Sequence, residues 1–265
     1  MSYKKIGWFT TARDKAALDL LRVVYSEIKK GNIPARLEYV FVSKAPDEGE
    51  WAERLIKEAK EDLGLKVICF SAERFKPELR KAQRDLWRKE YHAEVLKRLD
   101  MEIDFGVLAG YMWITSEDFC KSLRLINLHP ALPGGPKGSW QEVIWQLISA
   151  RAMETGAMFH QVTPELDEGP ALTYFRLNLR TPEFIPLWEE TEAKLLKYHL
   201  SGLKKLEGEE NALFRKIREE ELKRELPLLV FTLKYLCEEK IGFEGDIPVD
   251  LTEEIEKSLP DFIIT

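Results

Sequence analysis

Residues 123–136 read LRLINLHPALPGGP, a short apolar run that stops at a cluster of prolines and glycines. Residues 125–128 predict a buried strand, which Pro130 brings to an end. Ligands of open α/β sheets bind outside the carboxyl ends of the strands. Asn127 and His129 lie at such an end, two positions apart, so a regular strand points both side chains to one face. This stretch therefore predicts a polar site at the edge of a sheet.

A second loop, TPELDEGP at residues 163–170, follows the next strand-like segment and contributes Asp167. Taken singly, Asn127 is typical of a strand end, and His129 and Asp167 are typical of turns. Taken together they offer an amide donor, an imidazole whose charge changes near neutral pH, and a carboxylate. Such a combination in one crevice indicates acyl-transfer chemistry.

Strand-like and helix-like segments alternate through the first half of the chain with short connections. The pattern predicts an α/β fold with a doubly wound, mostly parallel, Rossmann-like sheet. The predicted strands are residues 4–10, 37–43, 66–70, 103–110, 125–128, 156–163 and 171–179. One long charged helix is expected over residues 77–99, with Leu79, Leu86, Ala93 and Leu96 on its apolar face. Beyond residue 180 the chain is mostly helical, with helices predicted at 187–206, 211–224 and 227–239.

The composition excludes several classes of protein. With 40 basic and 46 acidic residues, the chain has a net charge of −6 and no dominant basic patch, which argues against a nucleic-acid binder. Cys69, Cys120 and Cys237 lack metal-site spacing and predict free thiols in a reducing cytoplasm. Neither a signal peptide nor a membrane-spanning run is expected, so we predict a cytoplasmic protein without a membrane partner. A homodimer is left open.

The first strand-to-helix turn, residues 10–15, reads TTARDK. It contains no G-x-G-x-x-G and no Walker sequence, which argues against NAD and ATP as ligands. Thr11, Arg13 and Lys15 could still hold an anion with their side chains and the helix N-terminus. A solvated first turn explains the same residues equally well, and both interpretations stay open here.

Three segments occur in a fixed order: VLAGYM at 107–112, NLHPALP at 127–133 and ELDEGP at 165–170. In these segments the chain resembles the folate-dependent formyltransferases, most closely their phosphoribosylglycinamide branch. The similarity of strand order extends over residues 4–180, and His160 falls where that family has a histidine. The resemblance implies a formyltransferase-type catalytic domain at 1–180 and a helical C-terminal extension at 181–265 packed on it.

The resemblance also implies a chemistry, in which a formyl group passes from the cosubstrate 10-formyltetrahydrofolate to an amine without a metal ion. Asn127 and protonated His129 would stabilise the oxyanion, each well-placed donor contributing roughly 3 to 4 kcal/mol. Asp167 would keep His129 charged and help to move the proton from the amine to the folate nitrogen. The pterin slot would be lined by Leu108, Ala109, Gly110, Tyr111, Met112 and Leu166.

The chain departs from the family pattern around the acceptor. Residues 12–15 replace the family's glycine-serine-asparagine phosphate loop, and Trp113 replaces a commonly basic residue, so the folate contacts are expected to differ. The loop after Pro133 is also unusual, and it either recruits an anionic acceptor or simply starts the next helix. The predicted acceptor-binding residues are Thr11, Arg13, Lys15, Gly134, Gly135 and Lys137.

We therefore expect formyl transfer to a small-molecule primary amine, with phosphoribosylglycinamide, in purine biosynthesis, as the leading acceptor. One alternative is hydrolysis of 10-formyltetrahydrofolate, and another is formylation of a different amine such as an amino sugar nucleotide. A non-catalytic folate-binding protein is the alternative of another class. Presence of Asn127, His129 and Asp167 together argues against it, because pterin binding does not require all three.

Overall fold

The computed structural model describes residues 3–243 and 247–262, so Met1, Ser2, residues 244–246 and residues 263–265 lie outside it. The strands form one sheet in the order β3-β2-β1-β4-β5-β6-β7-β8. The pairs β1–β2, β1–β4, β2–β3, β4–β5 and β7–β8 are parallel. The strands are β1 Lys4–Thr10, β2 Ala35–Val42, β3 Val67–Cys69, β4 Phe105–Leu108, β5 Leu125–His129, β6 Glu154–Gln161, β7 Ala171–Asn178 and β8 Val249–Asp250.

Helices connect and flank these strands, which confirms the predicted doubly wound α/β fold and its helical C-terminal region. The helices are α1 Lys15–Lys29, α2 Glu50–Glu61, α3 Pro77–Ala82, α4 Arg84–Arg98, α5 Glu117–Ser122, α6 Trp140–Ser149, α7 Ile185–Leu206, α8 Ala212–Cys237 and α9 Thr252–Ser258. Short 3-10 helices cover Gly208–Glu210 and Leu259–Phe262. None of the helices in the described ranges is long and apolar enough to cross a membrane.

The chain forms two compact units. Of the described residues, the first contains 3–127, 160–170 and 233–243, and the second contains 128–159, 171–232 and 247–262. Each unit consists of segments that are separated in the sequence. Strands that follow one another along the chain therefore do not all belong to the same unit. The predicted boundary at residue 180 stays a prediction.

An aromatic core holds the first unit together. The Phe9 ring in β1 contacts Tyr39, Phe41, Tyr111 and Phe119 at centroid distances of 5.7–6.4 Å. Edge-to-face and tilted aromatic pairs of this kind add to the free energy of burial. Because Tyr111 lies three residues after the end of β4, this core fixes the loop at the carboxyl end of β4.

The second unit is built around α6, α7, α8 and β7. Phe214 of α8 contacts Trp140 and Trp145 of α6, at centroid distances of 5.7 and 5.1 Å. Trp188 of α7 is buried and donates its indole N–H to the carbonyl oxygen of Leu179 at 2.7 Å. The helices of the C-terminal region are therefore anchored by buried aromatic side chains.

The single helix predicted over residues 77–99 is wrong. Gln83 has a non-helical backbone, with φ of −145° and ψ of 74°, and it separates α3 from α4. The face that α4 buries also differs from the predicted one. Trp87, Tyr91 and Val95 are buried at spacings of four residues, whereas Leu86 and Ala93 are exposed. The aromatic side chains decide the rotation of α4, since they bury more apolar area than leucine or alanine.

The predicted break before Pro227 is also wrong, since α8 continues from Ala212 to Cys237 through this proline. A proline inside a helix removes one hydrogen bond and is tolerated where packing compensates. Leu226, Leu228 and Leu229 beside it are buried. Burial of this apolar segment therefore outweighs the local helix-breaking tendency.

Candidate active site

A cavity of about 170 Å³ lies in the first unit, at the carboxyl end of β4, against Asn127 of β5 and the loop that follows β6. It adjoins the switch point of the sheet, where the strand order reverses between β1 and β4 and where doubly wound sheets bind their ligands. The cavity has an apolar wall after β4 and polar groups from β5, β6 and the loop that follows β6. It is lined by Leu108, Tyr111, Met112, Trp113, Ile114, Thr115, Asn127, His160, Val162, Thr163, Pro164, Leu166 and Asp167.

Four of the residues predicted for the pterin slot lie on this cavity, namely Leu108, Tyr111, Met112 and Leu166. Ala109 and Gly110 instead connect the two strands at the switch point. The amide N–H of Ala109 donates to the Phe9 carbonyl at 2.8 Å, and the Gly110 carbonyl accepts from the Thr11 amide at 3.0 Å. Gly110 has φ of +68°, a conformation that favours glycine.

The loop after β6 presents Asp167 to the cavity. Asp167 has φ of +56°, and its Oδ1 lies 3.7 Å from Nε2 of His160. The other ring nitrogen of His160, Nδ1, is 2.9 Å from the Gln161 carbonyl oxygen, so Nδ1 carries a proton. A Cβ at Gly169 would lie 1.7 Å from that same carbonyl oxygen. A side chain at position 169 would therefore clash with the Gln161 backbone, so only glycine fits there.

The structure therefore places Asn127 and Asp167 on one cavity and adds His160 to them. His129, the last residue of β5, belongs to the second unit and is not among the described residues that line the cavity. It is buried, and its Nε2 donates to the Pro136 carbonyl oxygen at 2.9 Å. The turn that follows β5 thus holds the imidazole in place.

The predicted acceptor loop, Gly134, Gly135 and Lys137, leads into α6. Gly134 has φ of +75°, and the Gly135 amide donates to the Leu132 carbonyl at 2.8 Å. Ser139 and Glu142 form a reciprocal capping box at the start of α6. Lys137 is exposed, and its carbonyl oxygen accepts from the Gln146 side chain at 2.9 Å.

The first loop has the charges expected of an anion site, but they are paired. Arg13 lies 3.3 Å from Asp14, and Lys15 lies 2.7 Å from Asp19. Asp14 also caps α1 by accepting from the Ala17 amide at 3.3 Å. An anionic ligand at this helix N-terminus would therefore compete with two carboxylates. Thr11, by contrast, is buried and faces the β4 loop.

Sequence reasoning did not connect His92 to the site. His92 of α4 accepts from the Ser116 amide through Nδ1 at 3.2 Å, so Nε2 carries the proton and donates to the Tyr111 hydroxyl at 3.1 Å. Burial lowers the pKa of His92 to about 4. A neutral histidine therefore supports Tyr111 from behind the cavity wall. A single histidine in a charged helix carries no sequence signal for such a contact.

The second unit contains a buried acid, Glu221 of α8. Its Oε1 accepts from the Thr155 hydroxyl at 2.9 Å, and burial together with the nearby Glu225 carboxylate raises the pKa of Glu221 to about 8. Within residues 3–243 and 247–262, no group of three or more His, Cys, Asp or Glu side chains is placed to hold a metal ion.

Part of the sequence is similar to a known protein. Over 114 residues the chain is 30% identical to phosphoribosylglycinamide formyltransferase from Schizosaccharomyces pombe, covering 40% of this chain and 55% of that relative. The aligned segment thus spans about half the length of the curated relative.

Solved structures show the same fold at low identity. Glycinamide ribonucleotide transformylase 1 from Symbiobacterium toebii superposes with a TM-score of 0.60 at 16% identity, over 92% of each chain. Formyltetrahydrofolate deformylase from Burkholderia mallei superposes with a TM-score of 0.57 at 18% identity, over 92% of this chain and 68% of that one.

Residues 18–180 match the family model described as formyl transferase. This match covers more than half of the sequence, and it contains β4, β5 and the Asp167 loop that form the cavity. The chain therefore belongs to the formyl transferase family.

Proposed function

We propose that the protein transfers the formyl group of 10-formyltetrahydrofolate to a small-molecule primary amine. The observation that carries this proposal is the cavity at the carboxyl end of β4, which combines an apolar wall with Asn127, His160 and Asp167. Concave apolar sites with a few placed polar groups are typical of small-ligand binding. Its volume of about 170 Å³ suits a flat ring system, with the rest of the folate outside.

In the proposed reaction the neutral amine attacks the formyl carbon, so a new C–N bond forms and negative charge develops on the formyl oxygen. Asn127 would donate a hydrogen bond to this oxygen from the cavity wall, and His129 would donate a second one once its Nε2 leaves the Pro136 carbonyl. Both residues belong to β5 at positions of the same face, as the period of a strand requires. Stabilisation of a developing oxyanion is commonly the largest catalytic contribution.

The bond from the formyl carbon to the folate nitrogen then breaks, and the proton lost by the amine ends on that nitrogen. Asp167 is the group we propose for this proton movement, because it lies on the cavity and is a carboxylate. His160, whose Nε2 is 3.7 Å from Asp167, would position the carboxylate. His160 is itself held by the Gln161 carbonyl.

Phosphoribosylglycinamide is the acceptor that we propose first, which would place the protein in purine biosynthesis. It is supported by the name of the curated relative from Schizosaccharomyces pombe. We also propose a catalytic domain at residues 1–180, supported by the end of the family match at residue 180, and a cytoplasmic location.

Hydrolysis of the same folate is the second candidate, and one observation favours it. Arg13 and Lys15 are already paired with carboxylates, and Asp14 caps α1. A phosphate would therefore displace existing interactions to bind at this helix N-terminus. Water as the attacking nucleophile needs no such site.

The experiment that separates these activities follows folate absorbance with 10-formyltetrahydrofolate alone and then with phosphoribosylglycinamide added. We expect turnover only after the ribonucleotide is added. Turnover without any amine would identify a hydrolase, and binding of the folate without turnover in either mixture would contradict catalysis with this acceptor.

A further inference from the structure

Trp113 is the largest side chain on the cavity wall. Its indole packs against Trp87, with the ring centroids 5.2 Å apart, and against the Arg80 guanidinium, 5.5 Å from the ring centroid. Both neighbours are themselves fixed. Trp87 donates to the Phe75 carbonyl at 2.6 Å, and Arg80 pairs with Glu73 at 2.6 Å.

The edge of the same indole is tied to the switch point by buried hydroxyls. Nε1 of Trp113 donates to Oγ of Ser43 at 3.2 Å, and that hydroxyl donates to Oγ1 of Thr11 at 3.0 Å. Thr11 Oγ1 also accepts from the Met112 amide at 2.9 Å. Ser43 is fully buried and Thr11 nearly so. These bonds join the loops after β1, β2 and β4.

Such a network leaves the indole little freedom to rotate, because its edge is hydrogen-bonded and it packs against fixed neighbours. A rigid aromatic surface on a cavity is suited to stacking against a flat ring, since little conformational entropy is lost when the ring binds. Stacking on aromatic side chains likewise binds the flat bases in nucleic-acid sites. If residue 113 served only for apolar packing, the hydrogen bonds to the Ser43 and Thr11 hydroxyls would not be needed.

We propose, on the basis of the folate-dependent activity proposed above, that Trp113 is the surface on which the bicyclic ring of folate stacks. Thr11 and Ser43 are then positioning residues that hold the indole and the Met112 backbone in place. This assignment moves Thr11 from the acceptor side, where its place in the first loop suggested it, to the folate side of the reaction.

The test uses the full chain and tetrahydrofolate as the probe, with binding measured by calorimetry. The variants are Trp113→Leu and Trp113→Phe for stacking, and Thr11→Val and Thr11→Ser for positioning. Trp51→Leu is the matched control, because Trp51 is a half-buried tryptophan of α2 in the same unit and is not among the residues that line the cavity. Circular dichroism verifies that each variant is folded.

We expect Trp113→Leu to raise the Kd about tenfold or more, while Trp113→Phe, which keeps a flat ring, stays within about threefold. Thr11→Val should raise the folate Kd and KM several-fold with kcat at saturating folate nearly unchanged. Thr11→Ser, which retains the hydroxyl, should restore wild-type values. A role of Thr11 in stability alone would not produce this split between KM and kcat.

Wild-type affinity for tetrahydrofolate in folded Trp113→Leu would overturn the stacking proposal and leave the proposed function standing. A raised KM for the amine acceptor in Thr11→Val, with unchanged folate affinity, would overturn the positioning role. Absence of tetrahydrofolate binding to the wild-type protein would instead overturn the proposed function itself.

Discussion

Asp167 has a left-handed backbone, with φ of +56°, at the point where its loop faces the cavity. Aspartate and asparagine tolerate this conformation better than most residues. Substitution by asparagine therefore removes the negative charge while the loop keeps its backbone. This makes Asp167→Asn a sharper variant than alanine for asking what the charge does.

We predict that Asp167→Asn lowers turnover of 10-formyltetrahydrofolate by about 100-fold or more, because the acid-base group is lost. Folate binding should change by less than about tenfold. His129→Ala should have the same pattern through loss of an oxyanion donor. Glu168→Gln is the control, since it removes a neighbouring exposed carboxylate from the same loop. Near-normal turnover in Asp167→Asn would refute the assignment.

Arg13 gives a second prediction for a single residue. If the first loop binds a phosphorylated acceptor, Arg13→Ala should raise the acceptor KM by about fivefold to tenfold without changing the folate KM. Lys29→Ala removes an exposed cation at the other end of α1 and serves as the comparison. An equal acceptor KM in both variants would show that Arg13 only pairs with Asp14 on the surface.

Spacing in the sequence predicted Asn127 and Asp167, because a polar residue at a strand end and an acidic turn are local features. The resemblance to the formyltransferases, and not the spacing, drew attention to Trp113 after Met112. The sequence could not predict which residues hold Trp113 in place. Ser43 and Thr11 are 32 residues apart and approach Trp113 only in the folded sheet. Contacts between distant segments leave no pattern in a single sequence.

Among the elements, strands were predicted better than helix boundaries. Lys4–Thr10 was predicted with its observed bounds, and β5 within one residue, because buried parallel strands are near-continuous apolar runs. The division of residues 77–99 into α3 and α4 was missed, because Gln83 is neither glycine nor proline. The two-residue strand β8 is too short to produce any alternation.

Helix α4 carries a prediction about pH, through His92 and its contact with Tyr111. The pKa of His92 is about 4 in the folded protein and about 6.5 in an unfolded chain. Between these values the unfolded chain binds more protons, so folded stability falls as the pH falls from 7 to 5. We expect this histidine to contribute about 2 kcal/mol to that loss.

The measurement is urea unfolding of wild type and His92→Gln at pH 7 and pH 5. From pH 7 to pH 5, the unfolding free energy of His92→Gln should fall by about 2 kcal/mol less than that of the wild type. His199→Gln, which changes an exposed histidine of α7, should behave like wild type. Identical pH dependence in His92→Gln and wild type would contradict the assignment of a buried neutral imidazole.

At the scale of the whole molecule, the alternation of strands and helices predicted the doubly wound sheet. The sequence did not predict that a segment after residue 232 joins the first unit. Residues 233–243 belong to the first unit, where Lys4 pairs with Glu239 at 2.6 Å and the Phe105 and Phe243 rings are 5.7 Å apart. An ion pair across 235 positions cannot be inferred from periodicity. The family match likewise ends before these residues.

The most direct test of the account is to follow an isotopically labelled formyl carbon from 10-formyltetrahydrofolate in a mixture with the protein and phosphoribosylglycinamide. We predict that the label appears in the formamide of the ribonucleotide and that tetrahydrofolate forms in equal amount. Label recovered as free formate would show hydrolysis in place of transfer. Label that stays on the folate, at the rate of a sample without protein, would contradict formyl transfer to this acceptor.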